Sequence, residues 1–241
     1  MDYNSWVSQF NSNIFCNPVN RKVGETVKNN IGLVEHAKKA LTEKWGYVWG
    51  TFGMILTQNL FLDKLAQYPT GVGQYRDFIQ SNYVNKRTSD CVGLIKSYLW
   101  WEVDNPKYDP KTDLSANGMY QKATEKGYLK TIPEIPGLLV WKDGHIGIYI
   151  GNGQVIEARG TKAGVIQSPL TGVGSAGWTH WCKCPFISYE PEKHFAEDHF
   201  AYLKKSGIII HEKRFDDPIK RGELFALLAQ ILPKERMNNN E

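Results

Sequence analysis

The stretch Gly144-His145-Ile146-Gly147-Ile148-Tyr149-Ile150-Gly151-Asn152-Gly153-Gln154-Val155-Ile156-Glu157-Ala158 decides how this chain folds. From 145 to 150 isoleucine recurs at every second position, the two-residue period of a half-buried strand. Ile146, Ile148 and Ile150 therefore share a core face. His145, Gly147 and Tyr149 share the opposite face, which the helix beginning near Cys91 is expected to cover. Gly151-Asn152-Gly153 is a turn signal and 154–158 returns as a second strand, so the segment is a β-hairpin. Read as a three-residue loop, the turn pairs Ile150 with Gln154 and Gly147 with Glu157. Glu157 then projects from the face of His145, across the space left by the missing side chain of Gly147. A two-residue loop would send Glu157 among the isoleucines, where an acid is costly, so three is the expected length.

Outward from the hairpin, Leu138-Leu139-Val140-Trp141 reads as the preceding strand, joined through the turn Lys142-Asp143-Gly144, and 181–189 as a last strand. Upstream the period is helical. Leu33, Val34, Ala37 and Leu41 mark an amphipathic helix over 32–44, with His36 on its solvated side. Three glycines among aromatics make 45–53 a loop brought close to a groove. Residues 54–86 read as helical with a break at Tyr68-Pro69-Thr70-Gly71. A further helix follows Ser89, capped by Ser89 or Asp90, with Leu94, Ile95, Tyr98 and Leu99 as its apolar face. Residues 104–118 form a loop and 119–127 a short helix. Helices followed by an antiparallel sheet make an α+β domain over 31–190. Residues 1–30 are a polar, Asn-rich N-terminal extension. Residues 191–241 are a small C-terminal helical appendage, with helices at 195–204, ended by Gly207, and at 221–232.

Three residues carry candidate chemistry. Cys91 lies at a helix start, where backbone N–H groups and the helix dipole favour a thiolate, although Asp90 beside it opposes one. His145 is the candidate proton acceptor and Glu157 the acid that orients it. Together they make the nucleophile–base–orienter set of covalent acyl transfer, with the N–H of Cys91 placed to help hold an oxyanion.

Composition bounds the alternatives. A chain of 241 residues holds one full domain plus an appendage. Its net charge of +4, without a basic tract, tolerates an anionic polymer but excludes a nucleic-acid partner. The four cysteines, Cys16, Cys91, Cys182 and Cys184, make no disulfide framework. Cys182-Lys183-Cys184 lacks the spacing of a zinc knuckle, so neither a metal nor a cofactor is expected. No window is apolar enough for a membrane span. No signal peptide is visible at the N-terminus, so the expected location is cytoplasmic unless release is by non-classical export or phage-type lysis. Oligomeric state is not encoded in any of these features.

Ser89-Asp90-Cys91-Val92-Gly93-Leu94 resembles the Asp-Cys-Ser-Gly-Leu nucleophile motif of the NlpC-type bacterial cell-wall cysteine peptidases. Gly144 to Gly153 resembles their His-Val-Gly-Ile-Tyr-Ile-Gly-Asn-Gly strand and turn. Glu157, twelve residues beyond His145, stands where that family has its third polar residue, and Trp45-Gly46-Tyr47-Val48-Trp49-Gly50 looks like its aromatic motif. The resemblance covers about 30–190. It implies a papain-like α+β fold and hydrolysis of peptidoglycan stem peptides, commonly at the γ-D-glutamyl–diamino acid bond. It implies too that Asp90 and Tyr47 contact substrate. Val92 replaces the usual Ser, and Glu157 replaces the commoner His, Asn or Gln. The same fold also accommodates an N-acetylmuramoyl-L-alanine amidase or an acyltransferase, and a catalytically inactive wall-binding module is the non-enzymatic alternative. Trp178 and His180, in the aromatic segment Trp178-Thr179-His180-Trp181, are further candidate substrate contacts. The tail from Phe215 to Glu223 looks like part of a surface-layer homology repeat.

Overall fold

Among the described residues helices come first. In a computed structural model, which describes residues 28–189, 196–207, 222, 224 and 225, Asn29 opens helix α1 (Asn30–Thr42) by accepting the N–H of Gly32 through its side chain at 2.8 Å. Leu33, Val34, Ala37 and Ala40 are its buried stripe. A short strand β1 (Phe52–Ile55) follows, then α2 (Gln58–Gln67), a 3₁₀ turn (Gly73–Tyr75) and α3 (Arg76–Asn82). Strand β2 (Arg87–Ser89) returns antiparallel to β1, so the helical run expected over 54–86, with its break after Gln67, is bounded by a two-stranded sheet. Helix α4 (Cys91–Trp100) is capped by Asp90. The loop expected over 104–118 opens on a minimal ribbon, in which β4 (Asn105–Pro106) pairs with β3 (Trp101–Glu102) just before it. It ends earlier than expected, because Ser115 caps α5 (Ala116–Lys122) through the N–H of Gly118.

The second half is a six-stranded antiparallel sheet built from β5 (Lys126–Tyr128), β6 (Leu139–Lys142), β7 (His145–Gly151), β8 (Gln154–Gly160), β9 (Gly164–Pro169) and β10 (His180–Cys182), in the order β5-β10-β6-β7-β8-β9. The α+β expectation holds. Strands β5 and β9 are additional to it, and the last strand is shorter than 181–189.

The sheet has two differently covered faces. Ile146, Ile148, Ile156, Ala158 and Leu139 pack on Leu33, Ala37, Leu94 and Ile95 of α1 and α4. Leu138, Val140, Tyr149, Val155 and Trp178 form a second layer covered by loop residues such as Leu129, Ile135 and Leu170. This corrects one expectation: α4 lies on the isoleucine face, not on the face of His145. Three large β-branched side chains offer far more apolar area to a helix than His, Gly and Tyr do, and area decides the docking. A third cluster, Val48, Leu56, Phe61, Val72 and Ile79, seats α2 and α3 beside the main core.

The hairpin is also corrected in detail. Gly151 pairs with Gln154, so the loop is two residues, Asn152 and Gly153, both at positive φ (51° and 65°) as a type I′ turn requires. A β-bulge between Tyr149 and Gly151 then inserts one residue, so that Tyr149 faces Val155 and Ile148 faces Ile156. Continuing that register sets Gly147 opposite Glu157. The two-residue loop thus leaves Glu157 on the face of His145, because the bulge restores the register that a longer loop would have given.

At the ends of this body, the N–H of Asn30 donates to the carbonyl of Ser188 (3.0 Å) and the N–H of Ser188 to that of Lys28 (2.9 Å). Helix α6 (Ala196–Lys205) is followed by Gly207 at φ 82°, whose N–H donates to Lys204. The first 27 positions lie outside the described residues. So do residues 208–210, most of the helix expected at 221–232 and most of the tail likened to a surface-layer repeat. Among the described residues no helix is long and apolar enough to cross a membrane.

Candidate active site

Cys91 is the first residue of α4, and the cap that starts the helix also fixes the thiol. Asp90 accepts the N–H of Gly93 on Oδ1 (2.6 Å) and the N–H of Gly50 on Oδ2 (2.9 Å), tying the aromatic loop to the helix mouth. Gly50 has φ 76°, which suits glycine. A Cβ on Gly93 would stand 2.0 Å from the carbonyl oxygen of Thr51, so only glycine lets the loop approach this closely.

The sulfur of Cys91 points at the end of β7. Sγ lies 4.0 Å from the carbonyl oxygen of Gly144 and within reach of the N–H of Ile146, so it rests on the peptide segment that carries His145. Burial first, and the carboxylate of Asp90 second, push the thiol up to about 12, against backbone N–H groups that favour its ionised form. At neutral pH it is a thiol.

His145 opens β7. Its Nε2 lies 2.7 Å from Oε2 of Glu157, and its ring stacks on Trp178 at 5.1 Å and an interplanar angle of 8°. Glu157 is fully buried. Burial by itself would raise its carboxyl, but hydrogen bonds from His145, Ser168 and Arg159 outweigh that and hold it below the usual range. An ionised carboxylate only accepts, so Nε2 carries a proton, and in the neutral ring the lone pair falls on Nδ1. Nδ1 has no hydrogen-bond partner among the described residues, and none links the ring to Sγ.

A cleft of about 650 Å³ opens over the thiol. Tyr47, Asp90, Cys91 and Val92 line it, so two of the four expected substrate contacts stand at its floor. Burial raises the Tyr47 hydroxyl first, with Cys91 and Asp90 adding to it, so this phenol stays protonated. Trp178 is elsewhere. It is buried behind His145, and its ring edge fills the space beside Gly147, where a Cβ would meet it at 3.0 Å. That space was expected to take the side chain of Glu157. His180 is not brought to the cleft either: it sits in β10 among Tyr120, Tyr128 and Trp141. The cleft walls add residues that sequence reading passed over, among them Lys64, Tyr68, Lys96, Trp100, Tyr108 and Asn117. Asn117 had a usable signal, standing two residues after the cap Ser115 in the first turn of a helix. Its Oδ1 accepts the N–H of Gly144 (2.9 Å) and of the Trp141 indole (3.1 Å), and its amide donates to Asp143 (2.8 Å), so it holds the turn that leads into His145.

No protein-family model matches the chain, and no curated protein matches it. Among solved structures it is similar to the P60 domain of an antigen from M. avium subspecies paratuberculosis, with 19% identity, a TM-score of 0.37, and coverage of 66% of this chain and 98% of that one. It is similar to NlpC2 from Trichomonas vaginalis, with 15% identity, a TM-score of 0.39, and coverage of 69% of this chain but only 49% of that one. It is similar also to the peptidoglycan hydrolase RipB from Mycobacterium tuberculosis, with 18% identity, a TM-score of 0.36, and coverage of 75% and 79%.

Proposed function

We propose that this chain is a peptidoglycan hydrolase, a cysteine endopeptidase that cuts stem peptides at the γ-D-glutamyl–diamino acid bond. One observation carries the reading. At the end of β7 a thiol at a helix mouth touches the peptide bearing a histidine, that histidine is tied to a buried ionised carboxylate, and an open cleft lies over the sulfur. The choice of substrate and bond rests on the motif resemblance around Cys91 and His145.

In this reading Cys91 attacks the scissile carbonyl as His145 Nδ1 takes the thiol proton, because a thiol raised to about 12 cannot rest as a thiolate. The tetrahedral oxyanion is met by the N–H of Cys91. His145 then passes the proton to the leaving amine, and the C–N bond breaks to leave a thioester on Cys91. Water, deprotonated by His145, attacks the thioester, releasing the γ-D-glutamyl carboxylate and restoring the thiol. Glu157 keeps the proton on Nε2 throughout. Tyr47 and Asp90 line the acyl-binding floor.

The test is digestion of purified sacculi followed by mass spectrometry of the fragments. New γ-glutamyl carboxyl and diamino-acid amino termini are expected, and Cys91→Ala is expected to abolish their release while keeping the circular dichroism and melting temperature of the parent. Undiminished release by Cys91→Ala would overturn the nucleophile assignment. New muramoyl and L-Ala termini would identify an amidase instead, and binding to sacculi without any release an inactive module.

A further inference from the structure

We propose that Arg159 and Ser168 are positioning residues of this site: together they occupy one oxygen of Glu157, reserve the other for His145, and through the charge of Arg159 set the pH range in which Cys91 reacts. The inference rests on reading the site as a cysteine peptidase. Its geometry stands without that reading.

The sheet lines these groups up. Arg159 is two residues beyond Glu157 on β8, at a bulge between Ala158 and Gly160, and its side chain reaches back to the carboxylate. Ser168, on β9, pairs with Val155, a further residue of the Glu157 face. Arg159 Nη2 donates to Oε1 of Glu157 at 2.9 Å, and Ser168 Oγ donates to the same Oε1 at 2.5 Å, while His145 Nε2 donates to Oε2 at 2.7 Å. Each oxygen has its own duty. A carboxylate with no exposed surface and only a neutral ring for company would take up a proton. Protonated, it would become a donor and would no longer compel Nε2 to donate, and the lone pair on Nδ1 would be lost. Arg159, whose side chain is 29% exposed, supplies the balancing charge, and Ser168 supplies a neutral hydrogen bond.

The two therefore act differently. Replacing the guanidinium with a neutral group removes the charge that balances the buried carboxylate, so Glu157 takes up a proton at higher pH than in the parent and stops accepting from Nε2 there. The acid limb of the pH profile then moves to higher pH. Removing the Ser168 hydroxyl leaves every charge in place. The other charged groups near the set stay unchanged in both variants. Lys142 is directly opposite His145 with its ammonium on the carbonyl of Ala176, Asp143 is held by Asn117, and Asp90 caps the helix beside Cys91. The protonated hydroxyl of Tyr47 completes the surroundings.

The experiment needs no substrate. The full-length protein is alkylated with iodoacetamide across pH 5 to 10, and modification of Cys91 is followed by peptide mass mapping. Arg159→Gln is expected to move the acid limb of the profile upward by about one pH unit, the scale of a neighbouring charge. Arg159→Lys is expected to restore it, and Ser168→Ala to slow the reaction about threefold to tenfold without moving it. A profile for Arg159→Gln that coincides with the parent overturns the proposal. Where that variant does not fold, ¹³C NMR of the parent decides: the Glu157 carboxyl is expected to titrate below the ordinary glutamate value of about 4.3, and titration at or above it overturns the proposal. Intact sacculi with these shifts present would sink the peptidoglycan reading and leave this one standing.

Discussion

Asp90 serves two segments at once. Its oxygens join the mouth of α4 to the loop at Gly50, so its carboxylate is committed to backbone amides before any substrate arrives. His36 is the residue whose environment departs most from its place in the helical pattern. Expected to be solvated, it is buried, with Nε2 2.7 Å from Ser97 Oγ and its ring between Trp45, Tyr98 and Trp101. Helical periodicity cannot see this, because the partners come from elements far along the chain. Burial first, then the charges of Lys28, Lys39 and Arg87, push His36 down to about 3. The unfolded chain therefore binds a proton that the folded chain refuses between about pH 6.5 and 3. Its contribution is fully present above the unfolded value and is lost as pH falls, by about 1.4 kcal/mol per unit. Urea unfolding is expected to show about 2 kcal/mol less stability from this group at pH 5 than at pH 7, and His36→Asn to remove most of that difference. An equal pH dependence in the variant would refute the assignment.

At the scale of the element, the β7–β8 hairpin shows what alternation reveals and what it hides. The faces of Ile146, Ile148 and Glu157 were legible, because burying an acid among isoleucines is too costly to be ambiguous. The turn length was not. A Gly-Asn-Gly run accommodates two-residue and three-residue loops, and the bulge that reconciles them has no signature in side-chain pattern. Strand β9 was missed for a related reason, since Gly164-Val165-Ile166-Gln167-Ser168-Pro169 begins at a glycine and ends at a proline and alternates poorly. The Ser168 half of the clamp on Glu157 was hidden with it. The turn entering β7 depends on Asn117. Asn117→Ala removes three hydrogen bonds around Gly144 and Asp143 while touching neither Cys91 nor the ring. It is expected to lower kcat on stem peptides about tenfold or more by loosening the position of His145. A change in KM alone would place Asn117 with substrate binding instead.

At the scale of the whole molecule, a helical layer and a loop layer sandwich one sheet, and the candidate site stands where the first helix turn of α4 meets the end of a central strand. Class and order of elements were readable from the change of period near 138. The side of the sheet on which α4 docks was not, because it depends on the area each face offers rather than on any single residue. The pairing of Asn30 with Ser188 has a topological consequence. A body whose entry and exit are neighbours is nearly a closed ring, so the place where the polypeptide is interrupted is a free choice. Splicing 189 to 28 through a short glycine linker and opening the ring at the fully exposed Val173 should give a circular permutant that melts cooperatively within a few degrees of the parent body. Opened at Val173, the rewired molecule keeps the thiol, the imidazole and the carboxylate in their order along the polypeptide, and the hairpin that carries the last two is never cut.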